Sequence, residues 1–129
     1  MELPITTVAG WLLLVASILS AGYELWRAIA RTGVGPNDRM ADWLRGLPIY
    51  VGSLVTSGLL ILGWEYALIP GLAYAVLAAA ASIFWYGPSI LPGRRPGVVD
   101  WFEDRVFTIL VGTVAMLLVL DVLGVTLVA

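Results

Sequence analysis

The chain has 129 residues, is 60% hydrophobic and carries a formal net charge of −2, whereas a soluble domain is usually about 45–50% apolar. It contains no cysteine and no histidine, which excludes disulfides, thiolate or imidazole metal sites, histidine-ligated haem and the commonest general base. All seven basic residues are arginine, set against nine acids; they form no basic stripe for nucleic acid, and no cofactor or nucleic-acid partner is expected.

The mean hydropathy of +0.96 is concentrated in four runs, each long enough to cross a hydrocarbon core about 30 Å thick. The N-terminus lacks a basic region, so no cleaved signal peptide is expected. The first span is predicted over 5–26. Its small residues Gly10, Ser17 and Ala21 share a stripe that ends at Glu24, and small residues let helix backbones approach where lipid supplies no hydrophobic drive. The helix continues through Arg27 and Arg31 until Gly33-Val34-Gly35-Pro36 stops it.

Asn37 or Asp38 is placed to cap a short helix over 39–47. Met40, Trp43, Leu44 and Leu47 give that segment one apolar face, so it reads as a helix lying in the headgroup region or packed on the bundle. Pro48 then opens a second span, 47–64, with a small stripe of Gly52, Thr56 and Gly63. Pro70 suits the first turn of the third span, 70–86, whose stripe is Gly71, Ala75, Ala78 and Ser82. Gly87-Pro88 is predicted to end it, and the proline-rich loop 89–96 to be extended. Asp100, Glu103 and Asp104 lead into the last span, 106–127, where Thr108, Gly112 and Ala115 share a face.

The fold expected is all-α: one integral membrane domain over 1–129, a four-helix bundle of two hairpins with a short interfacial helix between spans one and two. Arg27, Arg31, Arg39 and Arg45 flank the first connection, and Arg94, Arg95 and Arg105 flank the third. By the positive-inside rule both connections are cytoplasmic and both termini lie outside, in a multi-pass plasma-membrane protein. Asp42-Trp43-Leu44 before span two and Asp100-Trp101-Phe102 before span four hint at a parallel internal repeat.

Few residues offer chemistry. Asp121 is the one charge within the last span. At 1.5 Å per residue it lies roughly 22 Å beyond Val106 and about 12 Å before Ala129. Two readings stand: a cavity-facing carboxylate that binds a cation or proton, or the outer boundary of a span that Gly124 ends. A helical wheel puts Asp121, with Leu117 and Gly124, opposite Thr108, Gly112 and Ala115, which would turn it toward a second subunit. Glu24 and Arg27, three apart, are expected to pair near water. The acidic trio is read as a solvated loop neutralised by nearby arginines, with a docking surface or a divalent-cation site of hard oxygen ligands as alternatives. There is no Ser/His/Asp set, no HExxH and no phosphate-binding loop, so no enzyme is expected. The function expected is a non-catalytic subunit of a membrane complex, with a small channel or ion-coupled transporter using Asp121 as the alternative. The partners expected are the lipid bilayer and either further copies of the chain or subunits of a membrane complex.

Overall fold

Four apolar runs, each bounded by glycine, proline or charge, fold into four long helices. The computed structural model describes residues 2–35 and 38–128. Helix α1 spans Ile5–Ala30, α2 Met40–Ile61, α3 Leu68–Ala81 and α4 Val98–Val122. A 3₁₀ turn, Glu65–Ala67, precedes α3. A π-helical segment, Ser82–Ile90, and a second 3₁₀ turn, Leu91–Arg94, continue it. With that continuation, the third helix and the other three are long and apolar enough to cross a membrane. Beside the helices, β1 (Glu2–Leu3) pairs antiparallel with β2 (Leu127–Val128), Glu2 opposite Val128.

The helices form a ring. Helix α1 packs on α2 and α4, and α3 packs mainly on α4. Its core is Ile5, Ala9 and Leu13 of α1, Leu60 of α2, Ala75 of α3, and Val114, Leu117 and Leu118 of α4. Small residues set the spacing where the expected stripes fall between helices. A Cβ on Gly10 would sit 2.8 Å from the Ile61 amide nitrogen. The Ser17 and Ser53 hydroxyls hydrogen-bond across the α1–α2 contact. One on Gly71 would lie 2.8 Å from Leu60 and 3.3 Å from Leu118, and Ala75 is fully buried. Gly52 leaves room for the Tyr74 hydroxyl, while Thr56 is buried and donates to the Gly52 carbonyl at 2.8 Å.

Two stripe residues do other work. Gly63 is exposed with φ +80°. The Trp64 and Gly63 amides donate to the Leu59 and Leu60 carbonyls, so Gly63 is the left-handed residue of a helix stop rather than a packing residue. The same motif closes α4, where Gly124 has φ +82° and the Val125 and Gly124 amides reach the Leu120 and Asp121 carbonyls. The last helix therefore ends before residue 127. Gly112 also departs from expectation, because a Cβ there would meet nothing within 4 Å. The face of α4 that packs is Val111, Val114, Leu117 and Leu118, larger side chains that fill the ring where glycine would leave a void.

Three boundary expectations are corrected. No separate interfacial helix follows α1, because α2 runs unbroken from Met40 through Pro48. The missing proline amide removes one helical hydrogen bond, yet both flanks of Pro48 are held. Trp43 donates its indole N–H to the Ala21 carbonyl at 3.0 Å, and its ring lies 6.3 Å from that of Tyr50. Asp38 does not cap α2, whose N-cap position is Arg39; Asn37 lies outside the described residues, as do Pro36 and Ala129. Lastly, Gly87-Pro88 does not end the third helix, and residues 89–96 are largely helical. A wider π turn accommodates a residue without an amide, and the absence of a Cβ on Gly87 lets the Ser82 carbonyl approach.

Candidate functional site

The inner stripes of α1 and α4 are apolar at one end of the ring and charged at the other. On α1 the stripe runs Ile5, Ala9, Leu13, Ala16, then Glu24 and Arg27. On α4 it runs Leu118, Val114, Val111, then Asp104, Glu103 and Asp100. Extended at helical spacing, both stripes carry their charged residues inward. The burial confirms this for Arg27, Asp100, Glu103 and Asp104.

Arg27 is 0% exposed. Its guanidinium grips Asp38 with two nitrogens, Nε to Oδ1 at 2.7 Å and Nη2 to Oδ2. Nη1 donates to Asp100 Oδ1, and Nη2 also to the Arg94 carbonyl at 2.9 Å. Asp38 further accepts the Gly35 amide at 2.9 Å. Asp100 accepts the Tyr23 hydroxyl and, at 2.8 Å, the Gly97 amide at the start of α4, which satisfies an otherwise unpaired donor. Burial alone would push the Asp38 carboxyl up, but the hydrogen bonds and charge of Arg27, the charge of Arg94 and the Gly35 amide hold it below the usual carboxylate range.

Arg94 forms the second fork. Its Nη1 and Nη2 donate to the two oxygens of Glu24 at 2.8 and 2.7 Å, and Nη1 also to the Tyr86 hydroxyl at 2.9 Å. Only arginine presents this planar pair of donors. The two forks clamp α1, the first connection, the end of the third helix and the start of α4 into one network. Glu24 and Arg27 thus do not pair with each other, and Arg27 is not near water. Each finds a geometrically better partner across the bundle, as buried charge requires.

Beside the clamp lies a cavity of about 310 Å³. Ser20, Glu24, Tyr50, Ser82, Tyr86, Glu103 and Asp104 bring polar groups to it, and Ile49, Ala78, Ala81, Trp85 and Phe107 supply apolar wall. Asp104 accepts from the Ser82 hydroxyl at 3.2 Å and pairs with Arg105 at 2.7 Å; Thr108 hydrogen-bonds Ser82. Glu103 differs from its neighbours. It is 7% exposed, lines the cavity, and among the described residues its carboxylate makes no hydrogen bond or ion pair. Around the cavity and clamp, three guanidiniums (Arg27, Arg94, Arg105) face five carboxylates (Glu24, Asp38, Asp100, Glu103, Asp104). Carboxyl groups therefore outnumber guanidiniums at the site.

The acidic trio is accordingly buried, not a solvated loop. The two Asp-Trp pairs of the suggested repeat are not equivalent either: Asp100 is buried in the clamp, while Asp42 makes a 3.3 Å pair with the exposed Arg45. Asp121 is half-buried, on the face that carries Leu117 and Leu118, and not opposite the packing face. Ala115 packs at the edge of the core. Ala78 and Ser82 line the cavity, which Asp121 does not approach. Glu103 was legible through its place on the Val111–Val114–Leu118 stripe, a signal outweighed by the nearby arginines. No group of three or more Asp or Glu residues suited to a metal ion occurs among the described residues. Comparison of the chain with models of protein families, with curated proteins and with solved structures finds no match.

Proposed function

We propose that the protein is a non-enzymatic multi-pass membrane protein whose working site is the acidic cavity, where Glu103 exchanges a proton for a cation as the ion-coupled element of a small carrier. The observation that carries this reading is a buried glutamate whose carboxylate has no hydrogen-bond donor among the described residues and which lines a cavity. A buried carboxylate without a hydrogen-bond donor is costly to keep charged, so Glu103 is favoured with a proton on it or a cation beside it. Ionisable groups inside membrane proteins mark such exchange sites by default. Glu103 takes the role that Asp121 has in the sequence reading. The arginine-bearing connections face the cytoplasm in this proposal, which puts the cavity near the inner surface.

Infrared titration of the reconstituted protein tests the site. A carboxyl C=O band that responds to pH in the wild type and is missing in Glu103→Gln is expected, with Asp121→Asn leaving it in place. A spectrum unchanged by Glu103→Gln, or a band lost only in Asp121→Asn, would overturn the assignment.

A second reading, a non-catalytic subunit of a membrane complex, draws on an open groove of about 510 Å³ between α1 and α4. Ile18, Leu19, Trp26 and Phe102 give it apolar walls suited to a partner helix. Purification from native membranes with mass spectrometry decides: a stoichiometric companion supports this reading, and recovery of the chain alone counts against it.

A further inference from the structure

Resting on the exchange reading of Glu103, we propose that the cavity's ligand is an amphipathic organic monocation, an ammonium carried on an apolar body, that reaches Glu103 from the lipid side. Three observations lead there. The first is size. About 310 Å³ falls at the lower end of the range for small-molecule pockets, about 300–1,000 Å³, and far exceeds a bare ion. The second is the wall. Hard inorganic cations want about six or more oxygen ligands closing around them; oxygen-bearing side chains line part of this cavity, but Trp85, Phe107, Ile49 and Ala81 present carbon over the rest. Tyr50, Trp85, Tyr86 and Phe107 are aromatic, and aromatic faces attract organic cations. Arg94 already lies 5.5 Å from the centre of the Tyr86 ring, so one face of that ring is in cation contact. The third is the path. Glu103 lines both the inner cavity and the apolar groove between α1 and α4, so the residue that takes the cation in this proposal stands between the cavity and the groove on the outer face of α1 and α4.

No covalent step is involved. The cation displaces the proton of Glu103, which passes to solvent, so that charge at the site is conserved.

Calorimetry on the full chain in detergent, with benzyltrimethylammonium as probe and neopentylbenzene as its uncharged isostere, tests the ligand class. Saturable binding of the cation is expected, with proton release seen by comparing buffers of different ionisation enthalpy. Glu103→Gln should weaken binding at least tenfold. Ala81→Leu, which fills cavity volume without touching a charge, should also weaken binding while leaving the pH-sensitive infrared band in place. Equal binding of the isostere, equal binding by Glu103→Gln, or no binding by wild type at millimolar cation would overturn the proposal. Failure here with the infrared band of Glu103 intact removes only the ligand class. A missing band removes the exchange reading itself.

Discussion

Arg27 and Asp38 show how single residues at this site answer to their partners. A fully buried guanidinium is tolerable only because its donors meet two carboxylates and a carbonyl, and lysine could not reproduce the fork. Asp38 makes the arrangement sensitive to acid. Its folded-state carboxyl titrates below the usual range, so its stabilising contribution is fully present above the unfolded value of about 3.9. That contribution is lost as pH falls through the lower folded value. We expect the melting-temperature difference between wild type and Asp38→Asn, measured in detergent, to be constant above about pH 5 and to shrink as pH drops below about 4. A difference independent of pH would remove the ionic role of Asp38. Much of this was out of reach in the sequence. Glu24 and Arg27 at a three-residue spacing suggest a local pair, and only the fold brings in Asp38, Arg94 and Asp100.

At the scale of the helices, glycine separates contact from mere composition. Gly10 sits against backbone, with the Ile61 nitrogen 2.8 Å from an added Cβ, while Gly112 has nothing within 4 Å. Gly10→Ala is therefore expected to destabilise by about 1–3 kcal/mol, the usual cost of overpacking. Gly112→Ala should stabilise by about 0.5–1 kcal/mol, because alanine loses less backbone entropy in a helix. Unfolding of both variants in mixed micelles reads the contrast, and equal effects would contradict the packing described. Stripes of small residues coincide with contacts at Gly10 and Ser17 of α1, Gly52 and Thr56 of α2 and Gly71 and Ala75 of α3, but not at Gly63, which ends α2. On α4 they misled, since Val111, Val114 and Leu118 pack instead of Gly112. Periodicity says that a helix has faces; volume and the neighbouring helices decide which face goes in. Pro48 and Pro88 failed as boundary marks for a related reason: tertiary contacts and a wider turn carry the helix past a missing amide.

For the whole molecule, the four apolar runs anticipated four helices long and apolar enough to cross a membrane, because run length needs no knowledge of packing. The orientation proposed from the arginines can be tested without altering a native thiol, since the chain has no cysteine. A cysteine at Gly93, exposed beside the clamp, should react with a membrane-impermeant maleimide only after the inner face is opened. A cysteine at the exposed Glu65 should react from outside in intact cells. The reverse pattern would invert the topology.

The Arg27 clamp also imposes an order on biosynthesis. Arg27 meets Asp38 only 11 residues on, but Asp100 lies 73 residues on. A nascent chain can therefore half-satisfy the guanidinium as soon as the first connection leaves the ribosome, and must hold it so until Asp100 arrives. Helix α4 brings the second carboxylate, Asp100, to Arg27. A chain halted before Asp100 leaves one Arg27 donor without its carboxylate.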